Sequence, residues 1–286
     1  MSDEILRFIF DGTDIRGEWI QLEHSYRDTL ANHHYPPQVG RLLGEFLAAA
    51  GLLGATLKVD GTLILQARGN GQIPLIMAEA TSNRELRGIV SGAGQATGEH
   101  FRDLLGDGQF CITIDPRQGQ RYQGIVPLEG ETLAQSLEEY FRQSEQLPTR
   151  VWLTADAERA AGLFIQELPS RGNAEQRAEQ WRHITTLAAT VTPEELLGLA
   201  PETLLRRLFH QEDLRLLHRD SLRFRCSCSQ QRTEAMLLSL GRAELEDILA
   251  EQGRIDVNCE FCNQHYEFSP EQVASLLDGA TAERPH

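Results

Sequence analysis

The sequence predicts an α+β protein in three parts. An antiparallel-sheet core with helices spans residues 1–171, a helical linker spans 172–213, and a small cysteine-bearing module spans 214–286. Three observations carry this reading. Strand-like runs at hairpin spacing fill the chain up to about residue 170. The texture turns helical and charge-rich after Ser170-Arg171-Gly172-Asn173. Four of the five cysteines fall in the last quarter of the chain.

The elements follow in order. Ile5–Phe10 reads as a strand ending at Asp11-Gly12, and Ile15–Leu22 as a second. Ser25–Asn32 is helical. A longer helix starts near Pro36-Pro37 and carries Val39, Leu42, Leu43, Phe46 and Leu47 at helical spacing. Thr56–Leu65 reads as a hairpin turning at Asp60-Gly61, a pair that supplies the positive φ of a type I′ turn. Gly69-Asn70-Gly71 marks another turn. Strands are expected at Ile73–Glu79, Leu86–Val90, Phe110–Asp115, Tyr122–Val126, Arg150–Ala155 and Leu163–Glu167, with a helix over Thr132–Ser144. Ala174 to about Phe209 is helical, and Thr192-Pro193-Glu194-Glu195 has the form of a capping box with Pro at N1. Beyond Leu214, a strand at Leu222–Phe224 leads into the first cysteine pair. Helices follow around Met236–Leu240 and over Glu244–Glu251. Ile255–Val257 and His265–Phe268 form a hairpin with cysteines at its tip. A last helix, capped by Ser269-Pro270-Glu271-Gln272, is expected to end before Gly279.

Composition narrows the function. At roughly 150 residues per domain, 286 residues suggest about two domains and an ample core. With 42 acidic against 27 basic side chains the net charge is −15. That excess argues against a phosphate-backbone binder, whose affinity comes from Lys and Arg displacing counterions. It also disfavours anionic membrane surfaces. No apolar run approaches the roughly 20 residues of a membrane span; the run Phe46–Leu57 is too short and holds two glycines. Met1-Ser2-Asp3-Glu4 lacks the basic start of a signal peptide. A cytoplasmic protein is expected.

In a reducing compartment, clustered thiols point to metal or redox chemistry. Cys226-x-Cys228 and Cys259-x-x-Cys262 make two close pairs separated by residues 229–258. Zinc favours four thiolates in a tetrahedral shell, so these four cysteines are the predicted ligands of one zinc ion. The C-x-C pair is a tight bite, and the long interval departs from common zinc ribbons. His218 or His265 could replace a cysteine, although four cysteines suffice. The module has few large apolar side chains, and a structural zinc contributes roughly 10–16 kcal/mol in such small domains. Loss of the metal should therefore unfold it. Oxidation is one route, because the thiolates that bind metal are also nucleophiles. Disulfides within each pair would break the long-range tie and collapse the module. Disulfides between the pairs would preserve it.

Several other signals are weaker. Ser91–Gly98 is glycine-rich but lacks the Gly-Lys-Ser/Thr ending of a P-loop. Cys111 lies in the apolar run Phe110–Ile114, as a buried structural thiol does. His33-His34 reads as a solvated loop, and Glu138-Glu139 and Glu194-Glu195 as helix-surface or capping carboxylates.

The residues resemble a known family, the redox-regulated heat-shock holdases called 33 kDa chaperonins. The resemblance rests on Cys226-Ser227-Cys228-Ser229, Cys259-Glu260-Phe261-Cys262-Asn263 and Tyr266-Glu267-Phe268. It also rests on Leu57-Lys58-Val59-Asp60-Gly61, on the run Arg121-Tyr122-Gln123-Gly124-Ile125-Val126-Pro127-Leu128, and on Tyr140-Phe141 with Ser144–Thr149. It spans nearly the whole chain. The resemblance implies a reduced, zinc-bound monomer with little chaperone activity, and no enzyme. It implies that oxidants join neighbouring cysteines in two disulfides, Cys226 with Cys228 and Cys259 with Cys262, releasing zinc. Module and linker then unfold, and the protein dimerises. It holds unfolded clients without ATP and passes them to ATP-dependent chaperones after reduction. Cys111 lies outside the motif and receives no role.

The linker side chains Trp181, Ile184, Leu187, Leus 196, 197, 204, 205 and 208 (Leu196, Leu197, Leu204, Leu205, Leu208) and Phe209 are candidates for docking the linker or binding clients. Their spacing fits the core of a helical subdomain equally well. Docked, they hide apolar surface worth roughly 25 cal/mol per Å²; released, they expose it. Two other functions compete. One is a thiol–disulfide oxidoreductase using Cys259 and Cys262, against which stands their hairpin context. The other is a zinc-stabilised nucleic-acid module using Arg219, Arg223, Arg225 and Arg232, against which stands the overall charge.

Overall fold

The structure, a computed structural model, describes residues 3–170 and 172–282. Met1-Ser2, part of the start read as lacking a signal peptide, and the boundary residue Arg171 lie outside the described residues. The chain divides into two compact units between Arg225 and Cys226.

The first unit opens with strands β1 (Glu4–Phe10) and β2 (Ile15–Leu22), then helices α1 (His24–Ala31) and α2 (Pro37–Gly54). Strands β3 (Gly61–Gly69), β4 (Leu75–Thr81) and β5 (Glu85–Ser91) follow, then α3 (Phe101–Leu105), β6 (Gly108–Pro116) and β7 (Tyr122–Pro127). Next come α4 (Leu133–Tyr140), continued by a π-helical turn at Phe141–Glu145, and β8 (Thr149–Ala155) and β9 (Ala160–Glu167). Helices α5 (Ala174–Ala188), α6 (Pro193–Gly198) and α7 (Pro201–Phe209) precede β10 (Leu214–Ser221) and β11 (Arg223–Phe224). One sheet has five strands in the order β10-β1-β2-β9-β8, and the other six in the order β11-β5-β4-β3-β6-β7. Every pairing is antiparallel except β11 with β5.

Helix α2 is apolar almost all round because both sheets pack against it. One cluster joins its Leu43, Phe46, Leu47 and Leu53 to Ile5, Ile20 and Phe164 of the first sheet and to Leu65, Ile76, Leu86 and Phe110 of the second. Its glycines allow the approach. A Cβ on Gly51 would lie 2.3 Å from Ile20 Cδ1, and one on Gly54 2.6 Å from Ala80 Cβ.

The opposite face of the five-stranded sheet is covered by the helices expected to form the linker. Leu6, Phe8, Phe10, Ile15, Trp19, Leu163 and Ile165 pack with Ile184, Leu196, Leu204, Leu208 and Phe209. Phe209 meets Phe10 edge-on, their ring centroids 4.9 Å apart. Covered on both faces, β9 is buried along its whole length. Thr192 and Glu195 form the predicted capping box of α6, with Pro193 at N1.

Three expectations need correction. Residues 214–225 belong to the first unit, because β10 pairs with β1 and β11 with β5. Alternation identifies a strand but not the sheet it joins. Second, no hairpin turns at Asp60-Gly61: β3 starts at Gly61, whose φ is not positive. Gly61 serves close approach, since a Cβ there would lie 2.6 Å from the Asp115 carbonyl oxygen on β6. Third, the last helix does not stop before Gly279.

The second unit comprises α8 (Gln230–Leu240), α9 (Arg242–Gln252), the hairpin β12 (Ile255–Asn258) and β13 (His265–Phe268), and α10 (Pro270–Ala282). Gly253 ends α9 at φ 76. Ser269 and Gln272 cap α10 reciprocally, each side chain accepting the other's backbone N–H. The core is small: Leu237, Leu245, Ile255, Phe268, Val273 and Leu277. No helix among the described residues is long and apolar enough to cross a membrane.

Candidate metal centre

The second unit brings the four predicted cysteines together. Cys226 and Cys228 lie on the extended segment that enters α8, which Ser229 caps by accepting the Arg232 backbone N–H. Cys259 and Cys262 occupy the tip of the β12–β13 hairpin. The tip closes tightly: the Asn263 N–H donates to the Cys259 carbonyl at 2.7 Å, and the Cys259 N–H donates to the Gln264 carbonyl at 2.9 Å. Asn263 accepts the left-handed conformation, φ 53, that this turn needs.

The Sγ atoms of Cys226 and Cys259 are 3.5 Å apart, and those of Cys228 and Cys262 3.4 Å. All four ligand atoms lie within 4.8 Å of one another. Zn–S bonds of 2.3 Å in a regular tetrahedron imply S···S edges of about 3.8 Å, so the group is of the size a zinc ion requires. None of these cysteines is in a disulfide. The surroundings support a cation. The Cys228 N–H points at Cys226 Sγ, 3.5 Å away, and the Tyr266 hydroxyl donates to Cys228 Sγ at 3.2 Å. Burial, and then the neighbouring sulfurs, push the Cys262 thiol well above its ordinary range. The bond to Cys228, together with burial, pushes the Tyr266 phenol up to about 12. A bound cation inverts this logic and holds the thiols as thiolates.

Tyr266 joins the cysteine group as a hydrogen-bond donor that the cysteine spacing did not point to. It was legible only as part of a strand motif; its position four residues after Cys262, on the returning strand of the same hairpin, was the available signal. A second group, Asp256, His265 and Glu267, also gathers metal-compatible atoms, but it is exposed, and Arg254 pairs with both of its carboxylates. His265 contacts Asp256 and Asn258 and belongs to this group, and His218 lies on β10 in the first unit.

The remaining candidates are placed as follows. Ile184, Leu196, Leu204, Leu205, Leu208 and Phe209 are buried against the five-stranded sheet, and Trp181, Leu187 and Leu197 pack at the edge of the same cluster. Cys111 sits on β6 only partly buried, not in the core as expected, because its side chain alternates to the face opposite buried Phe110 and Ile112; its Sγ is 3.5 Å from Thr113 Oγ1. His33 stacks on Tyr35 with centroids 4.8 Å apart. The arginines weighed for nucleic acid are engaged: Arg223 and Arg225 pair with Glu85, Arg219 with Glu4 and Glu202, and Arg232 with the Ser227 carbonyl and hydroxyl.

A two-sheet α+β core followed by a small tetrathiol unit defines a protein with a metal-compatible cysteine module, and comparison with known proteins identifies its family. Residues 3–269 match the model of the family described as Hsp33 protein. The chain belongs to the Hsp33 family, and its role is that of a chaperone. The 33 kDa chaperonin of Azotobacter vinelandii is 54% identical over 284 residues, covering 98% of this chain and 96% of that protein. The 33 kDa chaperonin of Ectopseudomonas mendocina is 51% identical over 290 residues, covering 100% and 98%. The fold matches the crystal structure of the 33 kDa chaperonin of Thermotoga maritima with a TM-score of 0.86, at 23% identity, over 99% of this chain and 100% of that one.

Proposed function

We propose that the protein is an ATP-independent holdase switched by oxidation of Cys226, Cys228, Cys259 and Cys262. The observation that carries this reading is the convergence of four sulfurs in a unit with, among the described residues, only six buried apolar side chains. Such a core is too small to stabilise the unit alone, so a zinc ion bound by the four thiolates supplies most of its stability. In the reduced state the zinc ties the segment before α8 to the β12–β13 hairpin, and the monomer holds clients poorly.

Oxidation removes two electrons from each cysteine pair. Two molecules of a two-electron oxidant such as hydrogen peroxide would convert the four thiolates to two disulfides; the peroxide oxygens leave as water on taking up four protons from solvent, and the ligand set that holds zinc is lost. With disulfides Cys226–Cys228 and Cys259–Cys262, each bond closes only a short loop and the tie between the segments is lost. The second unit unfolds, α5–α7 leave the five-stranded sheet, and the apolar side chains at positions 181–209 become available to unfolded clients. The oxidised protein dimerises; on reduction it passes clients to ATP-dependent chaperones. Sulfur contacts at 3.4 and 3.5 Å run across the pairs, and all four sulfurs lie within 4.8 Å of one another, so pairing within each segment asks only for short side-chain movements.

The test is suppression of client aggregation by reduced and oxidised protein, with zinc release followed by a chromogenic chelator and disulfides mapped by peptide mass. Protection by the oxidised form alone, with zinc released and both disulfides local, is the expected result. Equal protection by the reduced, zinc-bound protein, or disulfides joining residues 226–228 to 259–262, would contradict the mechanism. Catalytic turnover of a dithiol substrate would instead favour an oxidoreductase using Cys259 and Cys262.

A further inference from the structure

Strand β10 is an edge strand held with little burial. Its residues pair with β1 as Phe10 with Leu214, Ile9 with Arg215 and Phe8 with Leu216, then, past an irregularity, Leu6 with Arg219, Ile5 with Asp220 and Glu4 with Ser221. Every side chain from Arg215 to Arg219 is exposed, including Leu216 at 44% and Leu217 at 49%. Only Leu214 reaches the apolar cluster beneath the helices, and only in part. Most of the remaining attachment is main-chain pairing and surface ion pairs: Arg215 with Asp11 at 2.9 Å, and Arg219 with Glu4 and Glu202. The pairs of Arg215 with Asp11 and of Arg219 with Glu202 are exposed on both sides and so weak and salt-sensitive, while Glu4 is largely buried. Asp220 adds one further bridge, to Arg84.

Strand β1 is the opposite case. Ile5, Leu6, Phe8 and Phe10 are all buried, and its pairing with β2 is regular. If β10 left, β1 would become an unpaired edge bordered by large apolar side chains. Such an edge is a template for any extended chain, because the recognition is made by backbone N–H and C=O groups. The seat also has a charge. Glu4, Asp11 and Glu202 flank it, and β10 neutralises them with Arg215 and Arg219. Chain connectivity puts β10 just before Cys226.

We infer that β10 is a resident strand in a client seat: when the switch opens, β10 leaves β1 and an extended client segment with alternating apolar and basic residues pairs with β1 in its place. This rests on the holdase reading and deepens it. Main-chain pairing makes the seat tolerant of sequence, as a holdase needs, and the three carboxylates set a preference for basic segments.

Hydrogen exchange on the full-length protein tests the seat, with a synthetic peptide of the sequence of residues 214–221 as probe. After oxidation, amides of β1 and β10 should both lose protection. Adding the peptide should restore protection in β1 alone. A peptide with both arginines replaced by glutamate should bind at least tenfold more weakly, and the Glu4→Lys/Asp11→Lys protein should reverse that preference. Client aggregation is scored on the same samples. An oxidised protein that protects clients while β10 stays as protected as in the reduced form would overturn the seat and leave the holdase reading standing. One that protects no client would overturn both. Return of β1 protection on raising protein concentration without peptide would assign the seat to β10 of a second copy, against the client assignment.

Discussion

At the scale of single residues, two side chains carry measurable consequences. Tyr266 donates to Cys228 Sγ from the neighbouring strand. Partners of this kind orient the ligand, and removing one typically costs 10–100-fold in metal affinity. Tyr266→Phe should therefore weaken zinc binding about tenfold, read by competition with a chelator, and leave the first unit unchanged. Glu18 is fully buried on β2 with one carboxylate oxygen unpaired. Burial lifts it from 4.5 to about 7, against the pull of Arg16, Arg7 and Arg84. A carboxyl that titrates higher in the folded chain than in the unfolded one favours folding in its protonated form. Below pH 4.5 both states are protonated; stability then falls as pH rises to 7 and is level above it. The shift corresponds to about 3 kcal/mol. Glu18→Gln cannot ionise, so its unfolding free energy should fall by about 3 kcal/mol less than wild type over that range, measured by urea denaturation at each pH.

At the scale of elements, the helical layer α5–α7 depends on its apolar contacts with the sheet. Short helices such as α6 and α7 are marginal alone. Phe209, packed on Phe8 and Phe10, anchors α7. Phe209→Ala should cost about 3–5 kcal/mol. Amide protection in α5–α7 should fall with it, while α2, held between two sheets, keeps its own. The same variant, reduced and zinc-loaded, should show raised client protection; unchanged protection despite a loosened layer would separate layer release from activity.

For the whole molecule, the two units differ in what stabilises them. The first has two extensive apolar clusters, and the second only a small one beside four sulfurs. Chelation of zinc with the thiols kept reduced should unfold the second unit and spare the two sheets of the first. Far-UV circular dichroism and exchange in α8–α10 would report the loss. A second unit that stays folded without metal would show that its apolar core suffices.

Most strands and helices were legible because their patterns are local: alternation in β1, the helical stripe of α2, the capping box at Thr192–Glu195. The four cysteines were legible because close thiol pairs have few other physical uses. Their meeting point was not, since chain spacing says nothing of how residues 226–228 face the hairpin. The turn assigned to Asp60-Gly61 failed because glycine also serves close strand approach, and that use depends on β6, far along the chain. The assignment of residues 214–225 to the cysteine module failed for a related reason.

Sequence alone determined most of the elements, the acidic charge, the metal-compatible chemistry of the clustered thiols and the family resemblance, because these reside in residue type and short-range spacing. Tertiary structure decided that the helices after residue 172 cover a sheet, that Tyr266 reaches Cys228, and that β10 completes the sheet edge at β1. Each depends on which distant surfaces meet, and burial and backbone pairing are satisfied only when they do.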